Sequence, residues 1–431
     1  MHVLLTSNRW YSAASEYGLR LFEHLHRSAK DNVAILSHGG SPILSRAQAI
    51  GIGAQVFAIR GDGGVALGPF GLLRAFWAVR NAMDSLDRAH PEGAVFWVLE
   101  GTEHALACAV RLFYPRLRNG PRLVRLRVQD RFPSGGPLPG FFERHQARLT
   151  DLVVFPSEHA RFRYFSAKTK IEKAYAGRVF VQPFCKDPLV AERGHFAPQD
   201  TVVFEWLRQQ PLAVTFVSVA RFDPIKGLIG LIDSFCNAGA DRPLQLVICG
   251  RTEALKAKDL WLHALEKLGS SEGERRDNCY FAASKSGGHR VAIIDGHFGS
   301  LANLLAVSQC AIVSSLGSEI ICRTAVECLQ AGLPVISTTA GSLPEVIGDC
   351  GWLVPLHPGA AANPSLAPVE GLTAAIQASI KVLGTPRDSA LSLAWRQRCL
   401  SRGREFVLDG FSPLVAKARA PAEKDVKVQL R

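Results

Sequence analysis

Short, continuously apolar runs alternate with longer segments of helical periodicity along this chain, and the alternation occurs in two series. Residues 2–6, 32–37, 55–59, 94–99, 123–128 and 152–155 have strand length. Between them lie turns and helical patterns such as Leu19, Phe22 and Leu25. A run that is apolar at every position suits a strand buried on both faces. Such strands alternating with helices predict a parallel sheet covered on both sides. The rhythm restarts at 213–219, 245–249, 291–294, 311–314 and 334–337. The expectation is an α/β chain of two doubly wound domains facing a central cleft, with ligands at the C-terminal ends of the strands.

The predicted boundaries are 1–190 for a first, acceptor-binding domain, 191–211 for a linker, and 212–385 for a second domain. The linker follows a polar stretch opened by Lys186-Asp187-Pro188. Residues 386–431 are expected to form a helix returning to the first domain, then a loose charged tail.

With 431 residues, 47% hydrophobic and 20% charged, the chain can bury two cores. Its longest apolar candidate, 94–110, is broken by Glu100, Glu103 and His104, short of the roughly 18 residues that span a bilayer. No basic region precedes Val3-Leu4-Leu5, so no secretory leader is read. The expected location is the cytoplasm, with peripheral contact on the inner face of the cell membrane as an option. Ten cysteines without CxxC spacing read as reduced core thiols, not as a disulfide framework or a zinc site.

The net charge of +12 is uneven: residues 1–200 hold 26 Lys/Arg and 17 Asp/Glu, the remainder 24 and 21. Its densest patch is Arg111, Arg116, Arg118, Arg122, Arg125, Arg127 and Arg131. That patch predicts either an anionic partner (phosphorylated substrate, acidic lipid or nucleic acid) or a plain solvated face. No zinc spacing, RNA-recognition signature or basic helix with interleaved aromatics accompanies it, which disfavours nucleic acid.

The segment from Ser314 to Ile336 carries the chemistry. A strand ends in small residues, Ser314-Ser315-Leu316-Gly317-Ser318-Glu319, and passes into a helix bearing Glu327. The helix stops at Gly332, and Pro334 opens the next strand. At a helical rise the two glutamates lie roughly 12 Å apart, too far to share a proton in a hydrolytic pair. They suit the two hydroxyl-bearing ends of one ligand, with its diphosphate at a helix N-terminus. Glu319 as a cap and Glu327 as a surface residue is the plainer alternative.

This pattern resembles the E-x7-E motif of the family-4 glycosyltransferases, which have the GT-B fold. The resemblance implies that Glu319 contacts the donor sugar and Glu327 the ribose of a nucleotide-sugar. Ala220-Arg221-Phe222-Asp223-Pro224-Ile225-Lys226-Gly227 is similar to the family's Gly-Arg…Lys-Gly segment. Arg221 and Lys226 would then hold the donor diphosphate, whose charge grows as it leaves. Gly250, at the end of Leu246-Val247-Ile248-Cys249-Gly250, would lie near the donor. His297, in Ile294-Asp295-Gly296-His297, would frame the base. Ala340-Gly341-Ser342-Leu343-Pro344-Glu345 and Gly351-Trp352-Leu353-Val354-Pro355 resemble two further family segments, read here as scaffold.

Several positions depart from the family. Glu319 is followed by Ile320-Ile321-Cys322, not by glycines, so Ile320 and Ile321 would reshape the donor-sugar pocket. The first loop, Tyr11-Ser12-Ala13-Ala14-Ser15-Glu16, lacks a glycine pair, and Glu16 is a candidate there for acceptor contact or base. Where many members place a histidine, Asp130 stands between Gln129 and Arg131; it is a candidate base or a salt-bridge partner. The resemblance implies a retaining reaction with no metal and no cofactor, using a nucleotide-sugar donor and an anionic or lipid-linked saccharide acceptor from the cell envelope, such as a lipopolysaccharide core. It implies no covalent nucleophile, with domain closure excluding water. A nucleotide-sugar epimerase or phosphorylase of the same fold, and a non-catalytic basic nucleic-acid-binding protein, remain the alternatives.

Overall fold

Among the described residues, fifteen strands form two sheets. The first sheet holds β1 His2–Leu5, β2 Val33–Ser37, β3 Gly53–Val56, β4 Val95–Val98, β5 Arg122–Leu126, β6 Leu152–Phe155 and β7 Val179–Val181. Their order is β3-β2-β1-β4-β5-β6-β7, and every pair is parallel. The second sheet holds β8 Val214–Val219, β9 Leu244–Gly250, β10 Gly273–Arg276, β11 Cys279–Ala283, β12 His289–Asp295, β13 Cys310–Val313, β14 Val335–Thr338 and β15 Gly351–Val354. Its order is β10-β11-β12-β9-β8-β13-β14-β15; β10, β11 and β12 pair antiparallel, the rest parallel. The computed structural model describes residues 1–6, 13–28, 33–37, 41–56, 69–90, 94–99, 101–128, 137–166, 169–191, 198–239, 241–270, 273–383 and 389–420.

The parallel strands are buried because helices cover them. In the first unit, Val3, Leu5, Phe96 and Val98 pack with Val79 and Met83 of helix Pro69–Ala89. In the second, Phe216, Leu246, Ile248 and Ile312 pack with Leu231 and Phe235 of helix Leu228–Asn237, and with Leu372 and Ile376 of helix Val369–Leu383. Each sheet reverses its winding once: between β1 and β4 in the first, and between β8 and β13 in the second. In open α/β sheets such a switch point opens the crevice where ligands bind.

The chain divides into Met1–Lys186 plus Leu408–Arg431, and Asp187–Val407. The expected linker 191–211 contains helix Pro198–Arg208 of the second unit, whose Asp200 accepts the Ser300 amide at 2.7 Å. Its Trp206 lies under the Arg290 guanidinium at 4.1 Å. The final segment also splits: helix Ala390–Arg404 belongs to the second unit. From Leu408 the chain belongs to the first, where the Phe411 ring meets Tyr17 edge-on at 5.5 Å.

Three arginines of the patch, Arg111, Arg125 and Arg127, are buried instead of lying on the surface. Arg125, in β5, is buried and pairs with Glu143, which also accepts from Tyr164 and, at 3.0 Å, from Tyr175. Arg111 is buried, bonded to the Leu149 carbonyl at 2.6 Å and the Asp151 carboxylate at 2.7 Å. Arg127 is buried with its guanidinium 5.0 Å from the Tyr164 ring centroid. The strand and helix that carry these residues face the interior, and each charge is held there by partners. Arg116 remains exposed; Arg131 lies outside the described residues.

Candidate active site

Two loops leave the sheet at the β8/β13 switch point. The loop after β8 is closed by local chemistry. The Asp223 carboxylate accepts the Ile225 amide at 3.1 Å and caps the short turn Pro224–Lys226. Gly227 follows at φ +64°, a left-handed conformation that any other L-residue adopts only with strain. A side chain there would also strike the Ser314 carbonyl. This turn locks onto the loop after β13. The Leu316 amide donates to the Ile225 carbonyl at 2.7 Å, and the Ser314 hydroxyl to the Lys226 carbonyl at 2.8 Å.

The locked loops bring Lys226 against Glu319: the Lys226 ammonium donates to Glu319 Oε1. The same oxygen accepts the Ser315 hydroxyl at 2.5 Å. The Glu319 backbone is held too, because its carbonyl accepts the Ser342 amide at 2.6 Å. Gly341, at φ +62°, packs directly on that backbone, where a Cβ would collide. The side chains of Lys226 and Glu319 are 17% and 12% exposed, so their pairing is partly shielded from water yet reachable. An ammonium has three donors, and Glu319 takes one, which leaves capacity for an anion.

The helix after this loop is Arg323–Gln330. Glu319 therefore precedes it, and only Glu327 lies on it, so the spacing estimated for one continuous helix does not apply. Thr324 ties the first turn back to the end of β8 through the Val219 carbonyl at 3.1 Å. Glu327 is half-buried, as are Ile320 and Ile321. Arg221 is half-exposed and pairs with Glu253, with Asp223 at 3.8 Å.

Gly250 and His297 sit at the neighbouring strand ends. Gly250 ends β9 where a side chain would strike the Ala220 carbonyl, and its own carbonyl accepts the Gly296 amide at 2.7 Å. Its lack of a side chain thus serves packing. His297 follows β12 and is exposed. The turn before it is fixed by Asp295, which accepts the Thr252 amide at 2.9 Å and hydroxyl at 2.7 Å.

The first-unit candidates fare differently. Glu16 lies in the first turn of helix Ala13–Ser28 but is buried, with Arg20 at 2.7 Å and Arg46 at 3.8 Å. Two guanidinium partners hold it on that helix. Asp130, Tyr11 and Ser12 lie outside the described residues. The reading of sequence missed Ser315, Ser342, Gly341 as a contact of Glu319, and Asp295 as a loop fastener. All four lie in segments already singled out; for Ser342, Gly341 and Asp295, glycine next to a hydroxyl or carboxyl residue was the available signal.

Residues 208–363 match the family described as glycosyl transferases group 1. They hold both loops of the β8/β13 switch point. The matched stretch is thus similar to a glycosyltransferase group 1 domain, and the two Rossmann-like units have the GT-B fold. The Anabaena protein Alr3699/HepE, crystallised with UDP and glucose, superposes with a TM-score of 0.64 at 14% identity, over 96% of this chain and 98% of its own. Sucrose-phosphate synthase from Thermosynechococcus elongatus gives 0.61 at 14% identity, over 96% and 97%. WaaG, a glycosyltransferase involved in lipopolysaccharide biosynthesis, gives 0.57 at 14% identity, over 98% and 100%. At these identities the likeness is one of fold. No curated protein matches the sequence.

Proposed function

We propose that the chain is a retaining glycosyltransferase of the family-4 type, which moves a sugar from a nucleotide-sugar to a hydroxyl acceptor. The observation that carries this reading is the Lys226–Glu319 pair at the switch point of the group 1 domain. A cation and a carboxylate there match the needs of a diphosphate and a sugar. That HepE binds UDP and glucose on the same fold supports it.

In this reading Arg221 and Lys226 bind the diphosphate and offset the charge that builds on it as the C1–oxygen bond breaks. Glu319 accepts hydrogen bonds from the donor sugar, and Glu327 from the ribose. Ile320 and Ile321 line the sugar's surroundings, and His297 flanks the base. The acceptor oxygen forms the new bond to C1 on the face the diphosphate leaves, and its proton passes to the departing phosphate oxygen. No covalent intermediate, cofactor or metal takes part. The acceptor is an anionic or lipid-linked saccharide of a cell envelope, bound by the first unit, whose basic excess favours such a ligand. The enzyme works in the cytoplasm; among the described residues, no helix is long and apolar enough to cross a membrane.

The test is turnover with a panel of nucleotide-sugars and oligosaccharide acceptors, read by nucleoside diphosphate release and by the anomeric coupling of the product. Release that is lost in Lys226→Ala, with retained configuration, supports the reading. An inverted product overturns the retaining mechanism, and phosphate-dependent cleavage without a nucleotide points to a phosphorylase.

A further inference from the structure

Helix Pro69–Ala89 of the first unit has two apolar stripes. The inner one, Ala75, Val79, Met83 and Leu86, is buried in the core. The outer one runs along Phe70, Leu73 and Trp77, which are 88%, 56% and 46% exposed. Their spacing of three and four residues puts them on one face. Leu112 and Phe113, at the end of helix Gly101–Phe113, are 64% and 69% exposed and extend it. Ring contacts join the two helices: Phe76 lies 6.2 Å from Phe113, and Trp77 lies 6.3 Å from Tyr114.

Among the described residues, the exposed charges beside this ridge are arginines. Arg74 and Arg116 are exposed, and the Arg80 guanidinium sits 5.1 Å from the Tyr114 ring. The nearby carboxylates are withdrawn. Asp84 is bonded to Arg88 at 2.7 Å and Asp87 to Arg116 at 3.5 Å, both largely covered, and Glu103 is buried. An exposed aromatic and aliphatic ridge is unusual on a soluble surface. Indole and phenol rings with arginines beside them suit the headgroup region of a bilayer, where the apolar body is buried and the cation meets lipid phosphate. The outer stripe covers about 11 Å of helix, enough to lie in the interface but not to cross it.

The geometry points to this ridge as a docking surface for an anionic lipid bilayer. It is separate from the buried arginines of β5 and stands independently of the donor-site reading. Docking holds the enzyme at the surface that presents a lipid-linked acceptor.

The test uses the full chain and sedimentation with phosphatidylcholine vesicles, with and without phosphatidylglycerol. The variants are Phe70→Ser/Leu73→Ser, Trp77→Ser and Arg74→Glu/Arg80→Glu. All but Arg80 are exposed sites, and a thermal melt checks that each variant folds. The wild type binds the anionic vesicles and binds less at high salt. The apolar variants weaken partitioning about tenfold or more on either vesicle. The arginine variant weakens it on anionic vesicles alone. Absence of wild-type binding at low salt, or equal binding by folded apolar variants, overturns the proposal. So does light scattering that shows a wild-type dimer and a monomeric apolar variant, which would make the ridge a subunit interface.

Discussion

Lys226 and Glu319, 93 positions apart in sequence, form one ion pair at the point where the second sheet reverses its winding. Neither is placed by its own strand. Lys226 is set by the Asp223-capped turn and Gly227, Glu319 by Ser315, Gly341 and Ser342. If the pair handles the donor, Lys226→Ala lowers kcat by about a hundredfold to a thousandfold, the scale of removing one group that stabilises developing charge. Glu319→Gln should act mainly on the donor sugar, lowering kcat/KM while leaving the affinity for the free nucleoside diphosphate within a few-fold. Steady-state kinetics and diphosphate titration separate the two.

Gly341 tests whether the Glu319 backbone must be held in place. Gly341→Ala meets both a left-handed φ and the Glu319 main chain. It should cost about 1–3 kcal/mol of stability by thermal or denaturant unfolding. Sugar-dependent turnover should fall further than the melt alone explains. Gly359→Ala is the control: it also has positive φ, but no atom lies within 4 Å of the added Cβ, so it strains the backbone without touching Glu319.

The buried cluster around Glu143 makes a stability prediction. Burial opposes ionisation of Glu143, but the Arg125 charge and the bonds from Tyr164 and Tyr175 outweigh it and hold the carboxyl below its ordinary value. A lowered folded-state value contributes stability above the unfolded value and loses it as the pH falls through the folded one. Glu143→Ala leaves Arg125 buried without its carboxylate, and should cost about 3–5 kcal/mol at neutral pH. Denaturant unfolding of the variant measures it.

His2 adds a second acid-sensitive element. Burial, with Arg419 and the N-terminus contributing, lowers it from 6.5 to about 3. The folded state keeps it neutral, and its Nδ1 accepts the Trp97 indole N–H at 3.0 Å. Between those two values the unfolded chain binds the extra proton, so stability decreases as the pH falls from 6.5 toward about 3 and is unaffected above 6.5. His2→Gln should flatten that part of the stability profile.

Most parallel strands were legible because burial on both faces writes continuous apolar runs such as Val95-Phe96-Trp97-Val98; the terminal strands β7 and β15, only partly buried, were not. The antiparallel strand β10 was not, since Gly273-Glu274-Arg275-Arg276 is exposed and carries no apolar signal. Arg125 and Arg127 looked like surface charge because their partners come from distant segments, Glu143 and Tyr164. Helix Pro198–Arg208 was hidden by the prolines and glycines before it. At the site, Lys226 and Glu319 could be read from their motifs. The Ser315 hydroxyl on Glu319 could not, because it arises from how the loop folds back and not from spacing.

The most direct test is thermal unfolding of the wild type with a series of nucleoside diphosphates and nucleotide-sugars, repeated with Glu327→Ala. The account predicts that one base series raises the melting temperature, that the shift is lost or much reduced in the variant, and that the ligand-free variant melts close to the wild type. If no member of the series stabilises the wild type, or if the variant responds equally, the donor site is not at the β8/β13 switch point.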